Sequence, residues 1–238
     1  MCTLEKRGSL FILTLTGDHQ NRLNPTVIAS LLSTLSQIRS QATPGSVLIT
    51  TAHGRFFSNG FDLSWAQAAG SPSAAVDRLH HMVDSFKPVV AALISLPMPT
   101  IAAVPGHAVA AGLMLAISHD YVLMRSDKGV LLMPEVDLGI TLPDYFAVGF
   151  RSKIRSSAAL RDVLLMGVKV KAVEAVKMGI VNSSHDSAES VMEASVRLGE
   201  ELAKRKWIGE VYAEIRKSLY PEMCDVLGLT RREIVSKI

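Results

Sequence analysis

The sequence predicts an α/β fold, a parallel sheet layered with helices, followed by a helical C-terminal stretch. Three observations carry this. Short β-rich apolar runs alternate with segments of helical period as far as Met124, the order that parallel strands need for their crossovers. Beyond Ser156 the pattern turns mostly helical. Hydrophobic residues make up 48% of 238 and charged ones 20%, enough to bury a core without metals or disulfides.

Leu10-Phe11-Ile12-Leu13-Thr14-Leu15-Thr16 is short and β-rich, so a strand. Asn24 and Pro25 then supply an N-cap and a pre-set first helical residue. Val27, Ile28, Leu31, Leu32, Leu35 and Ile38 follow at helical spacing. Pro44-Gly45 turns the chain into a second strand at residues 46–51, and residues 53–63 read as a loop with two glycines. A helix is expected from Ala74 to about Leu96, and a buried strand at residues 100–104 that Pro105-Gly106 ends. A small-residue helix from Ala110 to about Ser118 and a strand at residues 121–124 complete the alternation. Residues 188–206 and 210–219 are the longest helices expected after Ser156. No repeat or low-complexity linker divides the chain, so residues 1–185 read as an α/β core and residues 186–238 as a helical extension of the same structural domain.

Several classes are excluded at this stage. The formal charge is 25 − 22 = +3 and no basic stripe is interleaved with aromatics, so nucleic acid is not an expected partner. Cys2 and Cys224 stand far apart, with neither a disulfide framework nor zinc-ligand spacing, which fits a reducing compartment. The first seven residues hold charges with no apolar run behind them, so no secretory signal is expected. Residues 88–119 lack Asp, Glu, Lys and Arg and are long enough to cross a bilayer. Pro97, Pro99, Pro105, Gly106 and Gly112 interrupt them and His107 sits inside, so they read as core elements rather than a membrane span. No phosphate-binding glycine loop, dinucleotide fingerprint, nucleophile elbow or zinc-protease motif occurs. His80-His81 reads as a solvated helix face, and His53 and His107, in loops beside strands, as hydrogen-bonded structural residues.

Three segments carry a resemblance. Phe56-Phe57-Ser58-Asn59-Gly60-Phe61-Asp62-Leu63 resembles an F-S-x-G-x-D-L loop. Pro99-Thr100-Ile101-Ala102-Ala103-Val104-Pro105-Gly106-His107-Ala108-Val109-Ala110-Ala111-Gly112 resembles P-x-I-A-A-V-x-G-x-A-x-G-G-G, and Met133-Pro134-Glu135-Val136-Asp137-Leu138-Gly139-Ile140 contains a P-E-x-x-L-G-I pattern. In this order and spacing they resemble the crotonase superfamily, the enoyl-CoA hydratase/isomerase family, over about residues 8–185. The resemblance implies a crotonase-like fold of repeated ββα units with layered parallel sheets. It also implies that the backbone N–H groups of Phe61 and Ala111 form an oxyanion hole for an acyl-CoA thioester. Ser58, Asn59, Gly60, Phe61, Asp62 and Leu63, with Ala111 and Met114, are by the same resemblance the substrate-binding residues. The physics agrees: a strand, a tight turn and a helix start leave unpaired amides and a positive dipole end, and small side chains let a substrate approach the backbone.

Departures from the family pattern select the reaction. The family's hydratases carry two glutamates, one in the helix after the glycine-rich turn and one in the P-E segment. Here the first position is Met114, which cannot move a proton, and the second is Glu135. Hydration usually shares activation and protonation between two groups, whereas one carboxylate suits a 1,3-proton shift. The resemblance is therefore closest to a Δ3,Δ2-enoyl-CoA isomerase of β-oxidation, with Glu135 as the catalytic residue in an apolar pocket expected from Leu131, Leu132, Met133 and Met114. A dienoyl-CoA isomerase would place acids at the Met114 position and at Pro143, with Asp144 one step further. That enzyme, a hydratase and a non-catalytic acyl-CoA-binding protein stand as alternatives. Asp62 reads as a loop-organising cap rather than a base.

Coenzyme A enters as part of the substrate, so no cofactor and no metal is implied. The family also implies a homotrimer or a hexamer. Residues 66–84 are expected to wall the acyl tunnel. Ser236-Lys237-Ile238 resembles the peroxisomal S-K-L tripeptide, which gives a peroxisomal address read by an import receptor, with the cytosol as the alternative. Arg231-Arg232 upstream fits a solvated tail.

Overall fold

The computed structural model describes residues 1–234, so Ser236, Lys237 and Ile238 lie outside the described residues. An N-terminal hairpin opens the chain. β1 (Cys2–Arg7) and β2 (Leu10–Leu15) pair antiparallel across a turn in which Gly8 has φ +57°. β1 is the first departure from the sequence reading. Its second half is charged and exposed, so it carries no apolar alternation to find.

The helix α1 (Pro25–Ser40) starts as expected, with the Asn24 side chain accepting the Val27 N–H at 3.0 Å. Three strand–strand–helix units follow. The first is β3 (Val47–Ala52), β4 (Phe56–Ser58), α2 (Leu63–Gln67) and α3 (Pro72–Ile94). The second is β5 (Thr100–Val104), β6 (His107–Val109) and α4 (Ala111–Ile117). The third is β7 (Tyr121–Arg125), β8 (Leu131–Leu132) and α5 (Glu135–Leu138). In each unit the first strand joins one sheet and the second joins another. The larger sheet runs β1-β2-β3-β5-β7 and is parallel after its first pair, while β4-β6-β8 form a small parallel sheet. This is the layered ββα repetition that the resemblance implied. The small strands are two or three residues long, too short for periodicity to reveal.

The C-terminal stretch contains α6 (Asp144–Lys153), α7 (Ser157–Leu160), a π-helical turn at Arg161–Leu165 and α8 (Ala172–Lys177). It is not purely helical. β9 (Ser183–His185) adds a sixth strand to the large sheet, parallel to β7. Its Ser-Ser-His sequence has no strand signal, and its register beside Leu123–Arg125 is set by tertiary contact. The helices α9 (Ala188–Ala203), α10 (Gly209–Leu219) and α11 (Pro221–Leu227) end the described fold.

The sheet is buried on both faces, which explains the unbroken apolar runs of β2, β3 and β5. Phe11, Leu13, Leu48, Ala102 and Val104 pack toward α1, α3 and α4. Leu10, Val47, Ile49, Ile101 and Leu123 pack on Val191 and Ala194 of α9. The uncharged stretch 88–119 spends its apolar residues in this core, and no helix among the described residues is long and apolar enough to cross a membrane. One ion pair fastens α10 to the core. Arg216 donates to both Asp120 oxygens, at 2.7 and 2.6 Å, and to the Leu96 carbonyl at 2.7 Å.

Candidate active site

Two turns and one short helix build the site. The first turn follows β4. The Ser58 hydroxyl donates to the Asn21 carbonyl at 2.8 Å and accepts from the Gly60 N–H at 3.3 Å. Leu23 donates to the Gly60 carbonyl at 2.8 Å and the Asp62 N–H donates to the Leu23 carbonyl at 3.2 Å. Phe61 lies between these bonds, and its own amide meets no acceptor among the described residues. Asp62 then caps α2 by accepting the Trp65 N–H at 3.2 Å, the role its sequence context indicated.

The second turn joins β6 to α4. The Ala110 N–H donates to the Leu132 carbonyl at 2.9 Å, and the Ala110 carbonyl accepts from Leu113 and Met114. Ala111 opens α4, and its amide also meets no acceptor among the described residues. Glycine lets the two turns touch. Gly60 has φ +76°, and a Cβ there would fall 2.9 Å from the Ala110 Cβ and 3.3 Å from the Ala111 nitrogen. Gly112 lies so close to Ser58 that a Cβ would stand 2.3 Å from its carbonyl oxygen. Gly112→Ala is therefore expected to displace the Ala111 amide. Activity should fall by 10²-fold or more, roughly the worth of one oxyanion donor. A single-turnover assay beside a thermal melt checks this.

Glu135 heads α5, directly after Pro134. Its Oε2 is buried with no hydrogen-bond partner. Burial pushes its carboxyl up to about 7, opposed only by a bond from its own backbone amide. It lines a cavity of about 480 Å³ together with Asn59, Phe61, Val109 and Ala110. Among the described residues it is the only carboxylate on that wall.

Some expected residues reach the cavity and others do not. Asn59, Phe61, Leu63 and Glu135 line it. Ser58, Gly60 and Asp62 shape the first turn, and Ala111, fully buried, opens α4 next to the lining residue Ala110. Met114 is fully buried and does not reach the wall. A Cβ on Gly149 of α6 would fall 2.4 Å from its Cε, which shows how closely α6 packs on it. Nor do Leu131 and Met133 supply the apolar pocket, because both point into the core. The apolar wall comes from Leu79 and Val83 of α3 and from Leu138, Ile140, Leu142 and Phe146. Of the segment 66–84 only Leu79, His80 and Val83 take part, so His80 is a cavity residue as well as an exposed one. Pro143 lines the cavity, and Asp144 is exposed in the first turn of α6. His107 is structural, its Nδ1 accepting the Val130 N–H at 3.1 Å.

Sequence reasoning missed Asn21. It has φ +49°, accepts the Gly17 N–H at 3.1 Å and donates to the Phe56 carbonyl at 2.9 Å, so it pins the strand before the first turn. Asn tolerates this left-handed backbone better than most residues, which is the one signal that marked it.

Comparison with known proteins bears on the family. A family model described as enoyl-CoA hydratase/isomerase matches residues 5–227. The chain is 65% identical over 233 residues to enoyl-CoA delta isomerase 2, peroxisomal, of Arabidopsis thaliana, covering 98% of this chain and 97% of that one. It is 62% identical over 237 residues to enoyl-CoA delta isomerase 3 of the same organism, covering 99% of each. Among solved structures, an enoyl-CoA hydratase/isomerase family protein from Pseudomonas syringae superposes with a TM-score of 0.83 at 22% identity, covering 95% of this chain and 93% of that one. This chain belongs to the enoyl-CoA hydratase/isomerase family.

Proposed function

We propose that this chain is a Δ3,Δ2-enoyl-CoA isomerase that converts 3-enoyl-CoA thioesters to trans-2-enoyl-CoA in the β-oxidation of unsaturated fatty acids. One observation carries the reading: a lone, half-buried carboxylate with one partnerless oxygen, on an apolar cavity whose turns hold two amides without an acceptor among the described residues. The names of the two Arabidopsis relatives support it.

The thioester oxygen takes the amides of Phe61 and Ala111. Ionised Glu135 removes a proton from C2, and the electrons move through C1 onto that oxygen, giving a dienolate. The amides stabilise the charge as it develops, each worth about 3–4 kcal/mol. Protonated Glu135 returns its proton at C4 and the double bond closes between C2 and C3. Nothing is gained or lost overall, so one carboxylate suffices. The raised carboxyl value makes Glu135 a stronger base than an exposed glutamate. With methionine at position 114 and proline at 143, hydration and dienoyl isomerisation each lack a second acid.

Coenzyme A is part of the substrate here, and no resident cofactor takes part. A homotrimer or hexamer is the proposed assembly, supported by the exposed apolar residues Val136, Leu138, Leu165 and Met166. Residence in the peroxisome is proposed from the name of the first Arabidopsis relative.

The test is conversion of a 3-enoyl-CoA to its 2-enoyl isomer, with hydration of the product followed in the same cuvette. Fast isomerisation with negligible hydration is expected. Tight acyl-CoA binding with no isomerisation would overturn the reading in favour of a binding protein.

A further inference from the structure

Ala110 has a backbone conformation that its side chain disfavours. Its φ of +51° with ψ −123° lies where glycine is at ease and an L residue is strained. Such a residue persists only when its surroundings over-determine it. The hydrogen bonds of Ala110 to Leu132, Leu113 and Met114 hold the turn, but they are backbone bonds that glycine would make equally well. They do not account for the methyl group.

The position of that methyl does. It lines the cavity, and a Cβ built on Gly60 would fall 2.9 Å from it. It therefore stands where the two amide-bearing turns meet, next to the carbonyl that Phe61 and Ala111 hold. A thioester carbonyl carbon has two neighbours, sulfur and C2. The sulfur carries the same methylene in every acyl-CoA, so C2 is the variable neighbour of that carbonyl.

We infer that the Ala110 methyl is a specificity gauge at C2, admitting thioesters with an unbranched C2 and rejecting those with a methyl branch there. The inference rests on the isomerase reading above. It adds a constraint that an oxyanion hole alone does not impose, because the amides bind the carbonyl whatever C2 carries.

The test compares wild type, Ala110→Gly and Ala110→Ser on 3-hexenoyl-CoA and 2-methyl-3-hexenoyl-CoA. Wild type is expected to favour the unbranched thioester by at least about tenfold in kcat/KM, the usual worth of one carbon in a shaped apolar pocket. In Ala110→Gly that ratio should fall at least about threefold, and Ala110→Ser, which keeps the bulk, should retain it. Release of strain should also raise the Tm of Ala110→Gly by about 2–4 °C. An unchanged ratio in Ala110→Gly, with both proteins isomerising the unbranched thioester, would overturn the inference and leave the isomerase reading intact. Failure of wild type to isomerise either thioester would overturn both.

Discussion

Replacing Glu135 with glutamine is expected to lower kcat by about 10²–10⁴-fold, the range of a positioned general base, while acyl-CoA still binds. The same substitution should stabilise the protein at pH 8. Both effects follow from one cause, the burial of a carboxyl with a partnerless oxygen. Its value rises from 4.5 to about 7 in the fold. Between those two values the folded chain keeps a proton that the unfolded chain has lost, so stability falls as pH rises through this window. Above about pH 7 the whole penalty is present, about 1–3 kcal/mol once partial exposure is allowed for. Glutamine is neutral at every pH and escapes it. Melts of the two proteins should nearly coincide at pH 5 and separate at pH 8, with Glu135→Gln the higher. Wild-type kcat/KM should climb to a plateau with an inflection near 7, since in the proposed mechanism only ionised Glu135 takes the C2 proton. Coincident melts at pH 8, or a flat pH profile, would contradict the account of a desolvated base.

The parts of this site that sequence revealed are those whose chemistry forces a residue type. Gly60 and Gly112 stand where two turns approach within contact, and no side chain replaces them without collision. Glu135 is the carboxylate on the cavity wall, and Asp62 is a cap that any Asx-type reading finds. The large sheet was legible because strands buried on both faces show as unbroken apolar runs, whereas β1, β9 and the small sheet were hidden by charge, polarity or brevity. The cavity wall was the least legible part. Leu79 and Val83 come from α3, Ile140 and Leu142 from the loop after α5, and Phe146 from α6. Their meeting depends on how three elements pack, and nothing in any one segment distinguishes a wall leucine from a core leucine. Met114 shows the converse. Its place in the motif promised a substrate contact, and the rotation of α4 turned it into the core against α6.

Arg216→Met is expected to be the most destabilising single change outside the site, costing about 3–5 kcal/mol at pH 7. The guanidinium is 3% exposed and its partner Asp120 13%. It satisfies both carboxylate oxygens, the carbonyls of Leu96 and Met98, and through them the connection between α3 and β5. Burial alone would push Asp120 up, but the charge and hydrogen bonds of Arg216 outweigh it and hold Asp120 below its ordinary value. Asp120 therefore contributes stability above the unfolded carboxylate value, and that stability is lost as pH falls through the lower folded value. Methionine fills the volume but leaves Asp120 charged and buried without its main partner, and leaves the Met98 carbonyl bare, whereas the Leu96 carbonyl keeps the Met98 N–H. At about 2–4 °C per kcal/mol for a chain of this size, Tm should drop by about 6–20 °C. Lowering the pH should narrow the gap to wild type, because Asp120 can then take a proton. A second substitution, Asp120→Asn, should recover part of the loss. Asparagine keeps an oxygen for the Thr100 N–H, which Asp120 accepts at 2.9 Å, and removes the stranded charge. If the double variant melted no higher than Arg216→Met, the loss would belong to the lost carbonyl bonds and not to the uncompensated carboxylate.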